Sequence, residues 1–458
     1  MKNHFPTTIN RRYATLAVTL ITLTWLYVAF RPNLRVPTTA DWKPYISIPG
    51  SASAPFESAQ TTATSIDIFA FPAVDSSSLK SVCDDTQWNA SMVFTCDNNV
   101  GGVGNIRNSI LNCVRYTISA GAALVIPQII IRDTSDISRI RTGQRTSMDY
   151  MFDVAHFVQS LRLSCPQLHL YEKAEDIPNR PDQRHLIALM PESLIEKAPK
   201  TPKTGLQHPE EWRSTFHTWV SQFESPYETR VVELARSYLQ YPIYSDGEDF
   251  ALSFGSILKF RADTRILATA VLRRLSQTFN LGLESQWQEP ILRDAFFGAH
   301  LRTEKDAKEA WPAGDWKYSR YDMQSKLYLS QALDTQSSII YVAAGDPSEV
   351  SLFTRDAASI NATVTTKSLL LTGTEKGQLE ALTWDQQGLV DFLVMLKASN
   401  FAGVGHSSFA WNIALKRHAS LKGNGQDHLK GPQLLSDEIS QVYGLPRSYP
   451  EYASCLWP

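Results

Sequence analysis

The sequence carries no surplus of charge of either sign. Its 44 lysines and arginines meet 46 aspartates and glutamates, a formal net charge of −2. No global field recruits nucleic acid, so an anionic ligand has to be held by a local cluster. There is no CxxC pair and no Cys/His cluster at ligand spacing, which removes a structural zinc site. There is no Asp-x-Asp of the kind that holds a metal-bound diphosphate. The nearest approach, Asp246-Gly247-Glu248, lies in a polar stretch that reads as a surface turn. Internal repeats are absent, as is the succession of apolar runs that a polytopic membrane protein needs. With 43% apolar and 20% charged residues, the chain is neither disordered nor collagen-like. Its 458 residues suit two or three domains of roughly 150 residues.

One long apolar run is present. Residues 14–30 (ATLAVTLITLTWLYVAF) contain no charge and number 17, the short end of what crosses a bilayer. Lys2, Arg11 and Arg12 precede the run; Arg31 and Arg35 follow it. No small-x-small cleavage site stands just after it, and Trp25 and Tyr27 suit an interface. The reading is an uncleaved transmembrane anchor, with a cleaved signal peptide as the competitor. Residues 1–13 are then a cytosolic tail. Residues 31–80, rich in Ser, Ala, Thr and Pro, form a stem. Two glycosylation acceptors, Asn89-Ala90-Ser91 and Asn361-Ala362-Thr363, suit a luminal body and a single-pass type II protein of the Golgi or endoplasmic reticulum. The short span suits thinner membranes. Of the five cysteines, Cys83 and Cys96 are expected to close a loop and Cys165 to meet Cys455. Cys113, inside a helical pattern, is expected as a buried thiol.

From residue 91 strands and helices alternate. Strand-like stretches fall at 91–95, 122–126, 168–171, 295–301, 338–343, 369–371 and 401–404. Helical patterns fall at 106–120, 151–161, 265–279, 322–333, 387–398 and 408–416; Ile106, Ile110, Val114 and Ile118 recur every fourth residue as one apolar face. Residues 179–242 read as irregular and helical insertions. The alternation predicts an α/β protein of two doubly wound parallel sheets, residues 81–285 and 286–458, facing a cleft.

Three segments could carry chemistry. Gly101-Gly102-Val103-Gly104-Asn105, with Arg107, opens a helix: glycines admit a ligand to the backbone and the helix start favours anions. A plain structural turn explains the same residues. His300-Leu301-Arg302-Thr303-Glu304-Lys305-Asp306 follows a predicted strand, where open α/β sheets bind ligands. Arg302 can fork onto a phosphate and His300 can bond a sugar or base, whereas a solvated charge run is the bland alternative. Gly405-His406-Ser407-Ser408-Phe409 offers backbone N–H groups and two hydroxyls to a diphosphate; simple capping by Ser407 or Ser408 is the other reading.

Together these segments resemble the protein O-fucosyltransferase superfamily. Gly101, Asn105 and Arg107 match its glycine-rich GxxxNxR segment. His300, Leu301, Arg302, Glu304 and Asp306 match its HLRFE-D segment, with Thr303 in place of the aromatic. Ser407, Ser408 and Phe409 match its Ser-Ser-Phe helix start. Phe152-Asp153 with Phe157, Ile340-Tyr341-Val342-Ala343 with Asp346, and Asp385-Gln386 with Val390-Asp391-Phe392 follow in the same order. The resemblance implies a GT-B architecture, in which two Rossmann-like domains hold the nucleotide sugar mainly on the second. It implies an inverting, metal-independent transfer of fucose from GDP-fucose to a protein or glycan hydroxyl in the secretory pathway. GDP-fucose is the donor substrate, and no cofactor is implied. Arg302, Glu304 and Asp306 are then the catalytic candidates. Gly101, Gly102, Gly104, Asn105, Arg107, His300, Asp391, Ser407, Ser408 and Phe409 are the candidates for substrate binding. Some members carry a glutamate where Gly102 stands here, which leaves the general base open among Glu304, Asp306, the acceptor and the leaving phosphate. A GDP-sugar-binding protein without turnover, a transferase for another GDP-sugar, and a tethered structural protein are the alternatives.

Overall fold

A computed structural model describes residues 66–132, 143–195, 206, 208–223, 228–235, 241–242, 245–304, 307, 317–421, 436–444 and 457–458. The expected anchor at 14–30 lies outside these residues. No helix among the described residues is long and apolar enough to cross a membrane.

The chain is anchored to the body earlier than its composition suggests. Asp67 pairs with Arg265 at 2.8 Å, and the Ile68 N–H donates to Thr269 Oγ1. The N–H groups of Val74 and Ser76 donate to Ser160 and Ser164 hydroxyls. A segment without secondary structure of its own is thus satisfied by helix hydroxyls, so the part of the expected stem from Ile66 to Lys80 belongs to the folded body.

The first sheet is built from β1 (Met92–Thr95), β2 (Ala123–Val125), β5 (Leu170–Tyr171), β6 (Ile187–Leu189) and β7 (Arg230–Leu234), with β3 (Ile129–Ile130) and β4 (Arg145–Thr146) as a separate hairpin. Its order is β5-β2-β1-β7-β6, parallel throughout. Alternation along the strands splits the residues between two faces. Phe94, Leu124 and Val232 join the main core with the helix Val103–Ala120. Val93, Ala123, Val125 and Val231 form a small cluster of their own with Ile177, flanked by Ala174 and Leu186. Among the described residues, short 3-10 turns supply that covering. The stretch 179–242, expected as insertion, holds two of the five strands and the helix Pro209–Ser221, whose Trp212, Phe216 and Val220 enter the core.

The second sheet comprises β8 (Phe297–His300), β9 (Ile339–Ala343), β10 (Thr363–Thr365), β11 (Asn400–Val404) and β12 (Ser440–Tyr443), ordered β10-β9-β8-β11-β12 and again parallel. One face (Ile339, Tyr341, Phe401, Val442) lies in the main core; the other (Phe297, Ala299, Ile340, Val342, Val404) packs with Tyr328 and Phe353 from helices Tyr321–Asp334 and Pro347–Ala357. The expected strand at 369–371 is instead the end of a helix, Lys367–Leu370, whose cap Thr366 accepts from the Leu369 N–H. The helix Ala262–Phe279 packs on Trp384–Leu396 beside the second sheet, and Arg274 pairs with Glu375 at 2.9 Å.

Two disulfides replace the expected pairing. Cys83 bonds Cys165, fastening the helix Ser77–Asp84 to the end of Val154–Ser164. Cys96 bonds Cys113, fastening the chain after β1 to the long helix above it. Cys113 lies on the helix face turned to that strand end, a placement that spacing along the chain does not reveal; Cys455 lies outside the described residues.

Candidate functional site

Adjacency of β8 and β11 creates the site. The two strands run parallel, with Ala299 opposite Ala402, so the residues after them emerge at one edge of the sheet. The His300 ring lies 4.6 Å from that of Phe409, centroid to centroid, and Phe409 meets Phe392 edge-on at 5.4 Å. Strand ends and a helix start on one sheet edge form the usual ligand position of an open parallel sheet.

Arg302 is held at both ends. Its backbone N–H donates to Gln324 Oε1 at 2.9 Å, while Gln324 Nε2 donates to the carbonyls of Arg302 (3.0 Å) and Tyr318 (2.8 Å). Its Nη1 donates to Glu304 Oε2 at 2.5 Å. The other Glu304 oxygen accepts from the Gly345 N–H at 2.9 Å. A Cβ at Gly345 would stand 2.6 Å from Glu304 Oε1, so this approach requires glycine. The Arg302 side chain keeps 22% of its surface exposed against 9% for Glu304. The carboxylate is thus more deeply buried than the guanidinium, which stays part-exposed.

Two histidines beside Arg302 are neutral. Burial, and then the Arg302 charge, pushes His300 down to about 3. Burial and the same guanidinium push His406 down to about 3. A second cation so close to Arg302 is excluded by burial and repulsion together. His300 Nδ1 is buried without a partner among the described residues, a group placed to bond a ligand.

The helix Ser408–His418 starts beside this arginine. Ser407 caps it, its hydroxyl accepting from the Ala410 N–H at 3.3 Å, and Ser408 is buried. Trp411 Nε1 donates to the Gly405 carbonyl at 2.8 Å and fixes the turn. Opposite lies the start of Val103–Ala120, where Gly101 has φ +100° and the Gly102 cap carries no side chain to answer the first N–H groups. A Cβ at Gly104 would lie 2.5 Å from the Ser408 carbonyl oxygen, so the two helix starts touch only because residue 104 is glycine. Asn105 is half-buried, and its Oδ1 has no partner among the described residues. Two helix N-termini with no acidic residue in their first turns touch each other, and the part-exposed Arg302 lies close enough to His406, just before the second, to depress its pKa; the arrangement suits an anion.

Other expected site residues are placed differently. Arg107 is 4% exposed and donates to the oxygens of Gly255, Asn412, Trp457 and Pro458; it is a bracket inside the core rather than a ligand group. Asp391 accepts from Tyr341 Oη at 2.7 Å on one oxygen and from Lys367 Nζ at 2.5 Å on the other, so its carboxylate is already engaged. Asp306 lies outside the described residues.

Sequence reasoning missed the link between the lobes. Arg132 pairs with Asp385 under the Trp384 ring, which lies 4.8 Å from the guanidinium carbon. Tyr150 Oη bonds Thr383 Oγ1 at 2.7 Å, and Gln386 Nε2 donates to the Tyr150 carbonyl at 3.0 Å. The Asp385-Gln386 pair was visible in the family resemblance; Arg132 had no signal. Among the described residues, no group of three or more His, Cys, Asp or Glu could hold a metal ion.

A family model described as GDP-fucose protein O-fucosyltransferase matches residues 92–420. Several solved structures are similar to the chain. One of POFUT1 in complex with GDP-fucose has a TM-score of 0.44 at 12% identity, covering 79% of this chain and 100% of that one. One of an Arabidopsis thaliana FUT1 mutant in complex with GDP has a TM-score of 0.36 at 10% identity, covering 74% and 71%. The fucosyltransferase NodZ from Bradyrhizobium has a TM-score of 0.33 at 12% identity, covering 71% and 92%. None of the curated proteins compared with the chain matches it. On the family match, which spans most of its length and all three chemistry-bearing segments, the chain belongs to the GDP-fucose protein O-fucosyltransferase family.

Proposed function

We propose that the chain moves fucose from GDP-fucose to a hydroxyl of a protein acceptor, with inversion and without a metal ion, on a GT-B architecture. The observation that carries this reading is the part-exposed Arg302 guanidinium, backed by Glu304, near two converging helix starts. The acceptor oxygen attacks the anomeric carbon from the face opposite the leaving group. The bond to the β-phosphate breaks, its electron pair stays on GDP, and the hydroxyl proton leaves to a base or to solvent. Arg302 and the N–H groups at the start of Ser408–His418 answer the charge that develops on the diphosphate. His300, neutral and carrying an unpartnered Nδ1, is a donor or acceptor for the nucleotide or sugar, and Asn105 reaches it from the first lobe. Glu304, with both oxygens engaged, positions the guanidinium.

The two disulfides support an oxidising compartment, and Asn89 and Asn361 are exposed. We read the body as luminal, on a type II anchor at residues 14–30, in the Golgi or endoplasmic reticulum. A donor panel by calorimetry, with magnesium and with EDTA, tests the reading. It predicts GDP-fucose binding that EDTA leaves unchanged, together with transfer to a protein hydroxyl. Tight GDP binding with neither transfer nor hydrolysis would make the chain a binding protein. Binding that EDTA abolishes would remove the metal-free mechanism.

A further inference from the structure

The carboxyl ends of the first sheet carry a second opening, and none of its lining residues belongs to the corner around Arg302. A cavity of about 360 Å³ lies on the sheet's second face, between β1, β7 and the turns around residue 180. A cavity of about 270 Å³ continues over the ends of β1, β2 and β5, and Asp97, Arg145, Arg180 and Gln183 line both. Among the described residues, the short turns around 174–176 and 183–185 border it. Its size falls in the range of ligand pockets.

Its lining is charged with both signs. Asp97 and Glu233 face Arg145 and Arg180 across the larger cavity. The half-buried Asp97 makes no ion pair among the described residues; its Oδ1 accepts from the Gln128 N–H at 3.4 Å. Burial raises its carboxyl above the ordinary range, against the pull of Arg145. Among the described residues, Arg180 Nε is buried without a partner and Nη1 pairs with Glu175 at 3.1 Å, the two side chains being 32% and 68% exposed. A buried guanidinium N–H without an acceptor and a half-buried carboxylate without an ion pair leave bonding capacity that a ligand can answer. A neutral saccharide offers no charge to do so, and among the described residues no aromatic side chain lines either cavity. A polypeptide carries both signs.

The cavity is also tied through the chain to the second lobe. Ser147 and Met148 line the second cavity, and Tyr150, two residues on, bonds Thr383 of the second lobe. Asp97 stands four residues before Gly101, a reach of at most roughly 14 Å along the backbone.

We propose that this charged cavity docks the acceptor polypeptide, an acidic side chain of the acceptor meeting Arg180 and a basic one meeting Asp97 and Glu233. The hydroxyl to be modified then lies toward Gly101. The role as acceptor rests on the transferase reading, whereas peptide binding at the cavity is measured apart from it. The probe is a set of fluorescent Ser/Thr peptides with flanks scanned through Asp, Lys and Ala, titrated into the full-length chain by anisotropy, with and without GDP. Donor affinity is measured separately by calorimetry, and unfolding midpoints confirm that each variant folds. The wild-type chain is expected to discriminate between flanks by about tenfold. Arg180→Glu is expected to reverse the preference at the acidic position and Glu233→Lys at the basic one, each with GDP-fucose affinity unchanged. Either variant suffices if the other fails to fold. Equal binding of all peptides, or preferences unaltered by the variant that folds, overturns the proposal. Flank-selective binding without donor binding would leave the cavity a peptide site and remove the transferase reading instead.

Discussion

Replacing Arg302 by alanine separates its two jobs. In the site it is a part-exposed cation near the meeting of two helix starts; in the fold it is a counter-ion of Glu304. Loss of a preorganised donor to a leaving diphosphate typically costs 10²–10³ in rate, about 3–4 kcal/mol. The fold pays separately, because Glu304 is only 9% exposed and, among the described residues, keeps just the Gly345 N–H. A partly buried carboxylate left without its cation costs roughly 1–3 kcal/mol, below the 3–5 expected for a fully buried pair, since Arg302 is 22% exposed. Arg302→Ala should therefore lower both turnover and the unfolding midpoint. Adding Glu304→Gln removes the orphaned charge while keeping an oxygen for Gly345. The double variant should recover most of the lost stability and none of the lost rate. The assay is transfer of labelled fucose alongside chemical denaturation. Near-normal turnover in Arg302→Ala, or recovery of rate in the double variant, would refute the reasoning.

Three further outcomes follow. Gly104→Ala drives a methyl to 2.5 Å from the Ser408 carbonyl; overpacking of this kind costs roughly 1–3 kcal/mol, and it should also weaken GDP affinity by prising the helix starts apart, whereas unchanged calorimetry would show that they need not touch. Arg107→Gln should lower stability and leave GDP affinity intact, because its guanidinium meets four oxygens of the chain itself; a selective loss of affinity would return Arg107 to the binding site. His300 and His406 are held down to about 3, while the unfolded chain titrates near 6.5. Below about pH 6.5 the unfolded state takes up protons that the folded state refuses, so stability should be flat above that pH and fall toward pH 3, by up to about 1.4 kcal/mol per pH unit for each group. His300→Asn should make this fall shallower in urea melts between pH 7 and 5, and an identical slope would contradict the assignment.

The alternation of strands and helices was legible because buried parallel strands read as short apolar runs, as in Ile339–Ala343. β7 was not. Its Arg230 and Glu233 break the run, yet it pairs with β1 along four residues at the middle of the first sheet. β12, with the sequence SQVY, is equally silent. In the site, the corner at 300–304 and 405–409 was readable as strand end and helix start, since sequence order and sheet adjacency coincide there. The fate of Arg107 was not readable: one helical turn separates a residue on the opening of a helix from one on its buried face, and only the returning chain at Trp457 shows which applies. Arg132 was invisible for the same reason, because its partner Asp385 is 253 residues away. The disulfides turned on which helix face meets a strand end, which local spacing does not encode.

The most direct test of the central claim is a crystal structure of the full-length chain with GDP. The account predicts the diphosphate within hydrogen-bonding distance of the Arg302 guanidinium and of the backbone at Ser408 and Phe409, with Glu304 still bonded to Gly345. A nucleotide seated in the cavity beside Asp97, with Arg302 facing only solvent, would contradict it.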